Sequence, residues 1–99
     1  MANLSPRMTG ISRHVFVSPR MGSHDIRIKV SVSPGKNTLP VNCAVIGLRP
    51  AVHHIAGPAL PADVVAEVEK WVSLNIQPLN DYWDGSIDTG ELFAALKSI

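Results

Sequence analysis

"IRIKVSVS", residues 26–33, alternates apolar and polar side chains without a slip. Ile26, Ile28, Val30 and Val32 fall on one side of an extended chain, with Arg27, Lys29, Ser31 and Ser33 on the other. A period of two is the mark of a strand with one buried face. This stretch decides the fold class, because the same period holds on both sides of it and then gives way. Upstream, His14-Val15-Phe16-Val17 reads as a short strand closed by the turn-like 18–22. Downstream, Pro34-Gly35 suits the central pair of a type II turn, where glycine supplies the positive φ. Residues 43–48 (CAVIGL) read as a mostly buried strand. Pro50 interrupts it, and 51–55 follows as an edge strand or the continuation of a bent one. Residues 1–12, small and polar, are expected to be flexible at the surface.

After Pro61 the period becomes 3.6. Val64, Val65, Val68, Trp71, Val72, Ile76, Leu79 and Trp83 mark one helical stripe. Pro78 would clash with the carbonyl of Leu74 in an unbroken helix, so a kink is expected at 74–78, with Asn75 capping a second segment. A last helix at 89–97 is expected to bury Leu92, Phe93 and Leu96. Strands first and helices second make an α+β chain. The expectation is one domain over 1–99, β-rich over 13–56 and helical over 61–98. Its core would be a three- or four-stranded, mainly antiparallel sheet with two or three C-terminal helices packed on one face.

Between the helices, "NDYWDGSIDTGEL" (80–92) resembles the second half of an EF-hand loop. With Asn80 at position 1, Asp84, Gly85, Ser86, Asp88 and Glu91 fall at 5, 6, 7, 9 and 12. Position 3, however, is Tyr82, whose neutral phenol is a poor calcium ligand. The same letters spell a helix corner: Gly85 ends one helix, and Asp88 with Glu91 forms a capping box flanked by the staple pair Ile87 and Leu92. The corner uses every residue of the stretch. Calcium binding at 80–91 stays as a minor alternative.

Ninety-nine residues with 45% hydrophobic and 17% charged content describe a globular chain. No apolar run approaches the ~18 residues of a membrane span. The start lacks the apolar stretch of a secretory signal, and the single Cys43 suits a reducing compartment, so a cytoplasmic location is expected. The net charge of +1 conceals a split. Residues 1–50 carry seven Lys/Arg against Asp25 alone, +6; residues 51–99 carry two Lys against seven acids, −5.

No constellation points to catalysis. Ser23-His24-Asp25 has the letters of a triad, but consecutive residues cannot converge on one point. Gly35-Lys36-Asn37-Thr38 lacks the upstream glycine of a phosphate loop. His53 and His54 point to opposite faces of a strand, and Cys43 has no partner at zinc spacing. No cofactor, no metal and no enzymatic activity are expected. Trp71, Tyr82 and Trp83 sit on or beside the helical stripe and read as core. The remaining candidate is a basic patch: Arg27 and Lys29 on the strand, with Arg20 and Lys36 in the turns at its ends. No aromatic residue is interleaved with these charges as nucleic-acid surfaces usually require. An acidic protein surface is therefore the expected partner, with nucleic acid association through the basic half as the alternative.

Asp25-Ile26-Arg27-Ile28-Lys29-Val30, Leu48-Arg49-Pro50, Ala56-Gly57-Pro58 and above all Trp71-Val72-x-Leu74-Asn75-x-x-x-Leu79-x-x-Tyr82-Trp83-x-Gly85 resemble a group of short bacterial proteins of unknown function. The resemblance spans roughly 25–97 and implies a sheet followed by a helix ending near a tryptophan. It implies regulation or inhibition, of the kind borne by a phage or mobile element, more than metabolism. It supplies no catalytic residue.

Overall fold

The alternation around residue 28 becomes the central strand of a five-stranded sheet in the computed structural model, which describes residues 2–18, 25–32, 43–49 and 51–99. In chain order the elements are β1 (Ala2–Leu4), α1 (Pro6–Thr9), β2 (Val15–Val17), β3 (Arg27–Ser31), β4 (Cys43–Gly47), β5 (His53–Ala56), α2 (Ala62–Trp83) and α3 (Thr89–Ala95). The sheet order is the chain order, and each neighbouring pair is antiparallel. The chain is α+β as expected. The sheet is wider than the three or four strands its sequence suggests.

The extra strand comes from the segment expected to be loose. β1 pairs with β2 through Ala2↔Val17 and Leu4↔Val15, and both Ala2 and Leu4 are buried. Three residues span one and a half periods, too few for an alternation to register. Pro6 then opens α1, where its missing N–H is not needed. Gly10 closes that turn at φ 82°, its N–H donating to the Pro6 carbonyl at 2.8 Å. Ile11 follows, fully buried. The turn residues 18–22 and the Pro34-Gly35 turn, together with Ser23, His24 and Gly35-Lys36-Asn37-Thr38, lie wholly or largely outside the described residues.

One row of the sheet is apolar throughout. Leu4, Val15, Val17, Ile28, Val30, Ala44 and Ile46 belong to a single buried cluster that also holds Val64, Val68, Trp71, Val72, Leu79, Tyr82 and Trp83 of α2 and Leu92 of α3. The 3.6-residue stripe and the two-residue alternation thus meet in one core. Trp71, Tyr82 and Trp83 are all buried, as their positions on the stripe require.

α2 is bent where Pro78 demands it. Pro78 has no N–H to give the Leu74 carbonyl, and Asn75 leaves helical geometry at φ −119°, ψ 16°. Asn75 does not act as the expected cap. Its side chain instead grips the end of the chain: Nδ2 donates to the carbonyls of Trp71 (3.0 Å) and Lys97 (2.8 Å), while Oδ1 accepts from the Lys97 N–H (2.7 Å). Two residues on, the Ile99 N–H donates to the Thr9 carbonyl at 2.8 Å. One buried amide therefore ties the kink to the C-terminal segment, and that segment reaches the turn after β1.

The corner between α2 and α3 is built as its letters suggest. Gly85 takes φ 78°, its N–H donating to Tyr82 O and the next N–H, of Ser86, to Asp81 O. Those two bonds are a Schellman motif. Asp88 Oδ1 accepts from the Glu91 N–H at 2.7 Å, and Glu91 Oε1 accepts from the Asp88 N–H at 3.1 Å, the reciprocal capping box. Both carboxylates are thereby engaged in holding backbone. Phe93 departs from expectation, being 40% exposed. The helix ends at Ala95, two residues short of the expected 97, and Leu96 closes it in extended geometry, half-buried; Leu92 is fully buried and Phe93 lies about a quarter-turn from it. Replacing Asp88 by Ala should cost about 1 kcal/mol in a denaturant melt. Millimolar calcium should leave the melting temperature unchanged.

Candidate functional site

The face of the sheet turned from the core carries the charges. On β3 the row runs Arg27, Lys29, Ser31, and cross-strand pairing fixes what lies beside each. Lys29 stands between Phe16 of β2 and Val45 of β4, so its aliphatic stem lies between apolar neighbours. Arg27 faces Gly47, which has no side chain of its own. The His53 imidazole and the tip of Ile55 lie where a Cβ on Gly47 would stand. Gly47 is thus a place of close approach, and it lets His53 lie across β4 toward β3.

The β3–β4 ladder continues past Arg27 through the bond from the Leu48 N–H to the Ile26 carbonyl. At its end, Arg49 and Asp25 form an ion pair. Asp25 also accepts from the Ile26 N–H at 2.9 Å. That N–H first, and the Arg49 guanidinium second, hold its carboxyl below the ordinary 3.8. What the depressed value adds to stability is present above the ordinary value and is lost as pH falls through the lower, folded one. Both partners are largely exposed, so the pair adds little to stability. Its consequence is electrostatic: Arg49 is neutralised. No second ion pair occurs among the described residues, and Arg27 and Lys29 remain uncompensated. The Nε of Arg27 is buried and makes no hydrogen bond.

The other polar groups on this face and at the neighbouring edge strand are occupied or masked by burial. The Ser31 hydroxyl accepts from the backbone N–H of His14 at 3.0 Å rather than from an imidazole. Cys43 pairs with Ser31 across the ladder and is 4% exposed. Burial pushes its thiol up, against a smaller pull from the Lys29 charge, so it is no activated nucleophile. His53 Nδ1 donates to the Ala51 carbonyl at 2.7 Å, and His54 Nε2 donates to that of Gly57 at 2.9 Å. Among the described residues no three His, Cys, Asp or Glu side chains come together where a metal ion could sit. No helix there is long and apolar enough to cross a membrane.

Of the four residues the sequence nominates, Arg27 and Lys29 do share one row. Arg20 and Lys36 lie outside the described residues. Asp25, Arg49 and His53 were not nominated, though a glycine inside the apolar run 43–48 was the available sign of a side chain crossing that strand. Comparison with protein-family models, with curated proteins and with solved structures gives no match.

Proposed function

We propose that this is a small non-enzymatic binding protein that acts through contacts with another protein, and that Arg27 and Lys29 meet an acidic segment of that partner. The observation that supports this reading is the pair of uncompensated cations on one strand, beside a third whose charge is cancelled. Residues two apart on a strand stand about 7 Å from each other. Acidic side chains two apart on an extended partner segment share that spacing, so two carboxylates can meet two cations in register. The half-buried Val45, beside Lys29 on the next strand, adds apolar contact. A regulatory or inhibitory role is what the resemblance to short bacterial proteins implies, and a cytoplasmic setting accords with the single cysteine.

The test is charge reversal, Arg27→Glu with Lys29→Glu. Both side chains are partly solvated, so circular dichroism should be unchanged. The partner captured by the wild-type chain should associate with the variant more slowly, by an order of magnitude or more at low salt. Unchanged association by a folded double variant would move the binding surface elsewhere. Should the captured ligand be nucleic acid, its affinity will fall linearly with salt on logarithmic axes and tolerate many sequences. That outcome replaces the protein partner by phosphate.

A further inference from the structure

One titratable side chain stands beside the basic row without yet having a part in it. His53 pairs with Gly47 across one ladder, and Gly47 pairs with Arg27 across the next. Residues directly opposite one another on antiparallel strands turn their side chains to the same side, with Cβ atoms about 5 Å apart. Gly47 leaves its place empty, and Cε1 and Nε2 of the His53 imidazole lie there, with the tip of Ile55 beside them. The exposed imidazole thus fills the position next to Arg27 that a side chain of β4 would ordinarily hold. Its Nδ1 donates to the Ala51 carbonyl at 2.7 Å, so in the neutral ring the lone pair belongs to Nε2. A proton gained at Nε2 places a positive charge beside Arg27.

Among the described residues, Asp25 and Arg27 face this ring from β3, and Arg49 stands just beyond the end of β4. The groups that lower the Asp25 carboxyl are first the Ile26 N–H, then Arg49 and last His53. Lys29 lies one pair further along β3. His14, half-buried, bonds to Ser31 at the far end of the row. His54 pairs with Ile46 of the buried row, and its Nε2 is held by the Gly57 carbonyl. Glu69 belongs to α2, on the opposite side of the sheet. Arg27, Lys29 and Arg49 with Asp25 carry a net +2 while His53 is neutral and +3 once it is protonated. The total is the same whichever cation Asp25 holds, because a protonated His53 that draws Asp25 away releases Arg49. We infer that His53 is a pH switch on this surface: its protonation tightens the hold of Arg27 and Lys29 on an acidic partner as pH falls from about 8 to about 6, the interval in which histidine changes charge. The switch rests on the acidic-partner reading above.

The probe is a fluorescein-labelled hexapeptide with glutamate at alternate positions, whose carboxylates are ionised throughout that interval. Fluorescence anisotropy at low salt should show the wild-type chain binding it about fivefold more tightly at about pH 6 than at about pH 8, the effect of one added charge at about 4 Å in water. His53→Gln should stay folded, because the side chain is exposed. It should bind as the wild type does at the higher pH and gain nothing at the lower. His14→Gln, folded by circular dichroism, should keep the gain. Equal wild-type binding at the two pH values leaves the acidic-partner reading standing and overturns the switch. A gain that survives His53→Gln, or disappears in a folded His14→Gln, places the titrating group elsewhere and overturns it equally. No binding at either pH removes the reading and the switch together.

Discussion

Trp71→Ala should lower the free energy of unfolding by about 3–5 kcal/mol, the largest single effect expected anywhere in the chain. Trp71 is fully buried and belongs to the cluster that joins α2 to the sheet row Val15, Val17, Ile28, Val30 and Ile46. Truncation removes most of a large side chain from a place where both the helical stripe and the strand alternation converge. Since domains of this size are stable by only about 5–15 kcal/mol, roughly a fifth of the total or more is at stake. The indole N–H makes no hydrogen bond, which costs the native state something already. Trp71→Phe loses volume but removes that unpaired donor, and should cost clearly less than the alanine change. Chemical denaturation of the two variants side by side reads the difference. Near-native stability of Trp71→Ala would deny the residue its role as anchor.

Asn75→Leu should cost roughly 2–4 kcal/mol, because it leaves the Lys97 N–H and two carbonyls without their partners in a part-buried setting. A leucine of similar size keeps the volume, so the loss reports hydrogen bonds rather than a cavity. Asn75→Asp should not rescue it. The carboxylate still accepts from Lys97 but turns an acceptor toward two carbonyl oxygens. The specific readout is amide hydrogen exchange at Lys97 and Ile99, which should quicken well before the core amides do. Exchange at those two amides that tracks global unfolding in both variants would show that the end of the chain is held by something else.

These two residues also mark how far the sequence could be read. Trp71 was legible as core because the helical stripe extends over many residues, and so was the kink, since Pro78 forces it locally. What Asn75 does there was not legible. Its partner Lys97 lies twenty-two residues on, and nothing local records a bond closed by tertiary folding. The corner at 84–91 could be spelled out because a Schellman turn and a capping box are each completed within six residues. β1 could not, because its three residues become a strand only through β2. Phe93 was misplaced for a related reason: on a helix of seven residues Leu92 takes the buried face, Leu96 is the half-buried extended residue that closes it, and Phe93 is turned away.

The candidate site divides the same way. Parity along β3 was enough to place Arg27 and Lys29 together on the side opposite the apolar row. Whether their charges are free depends on which residues stand across the ladder, and that is a matter of register. Register shows Arg49 spent on Asp25 and a glycine opposite Arg27, and neither could be read before β3 and β4 were aligned.

The claim that Arg27 and Lys29 form the binding face is tested most directly by mapping amide chemical-shift changes when the captured partner is titrated into labelled protein. The changes should centre on Phe16, Arg27, Lys29, Val45 and Gly47, and should diminish as salt rises. A map centred on α2 and α3, with these five amides unmoved, would contradict it.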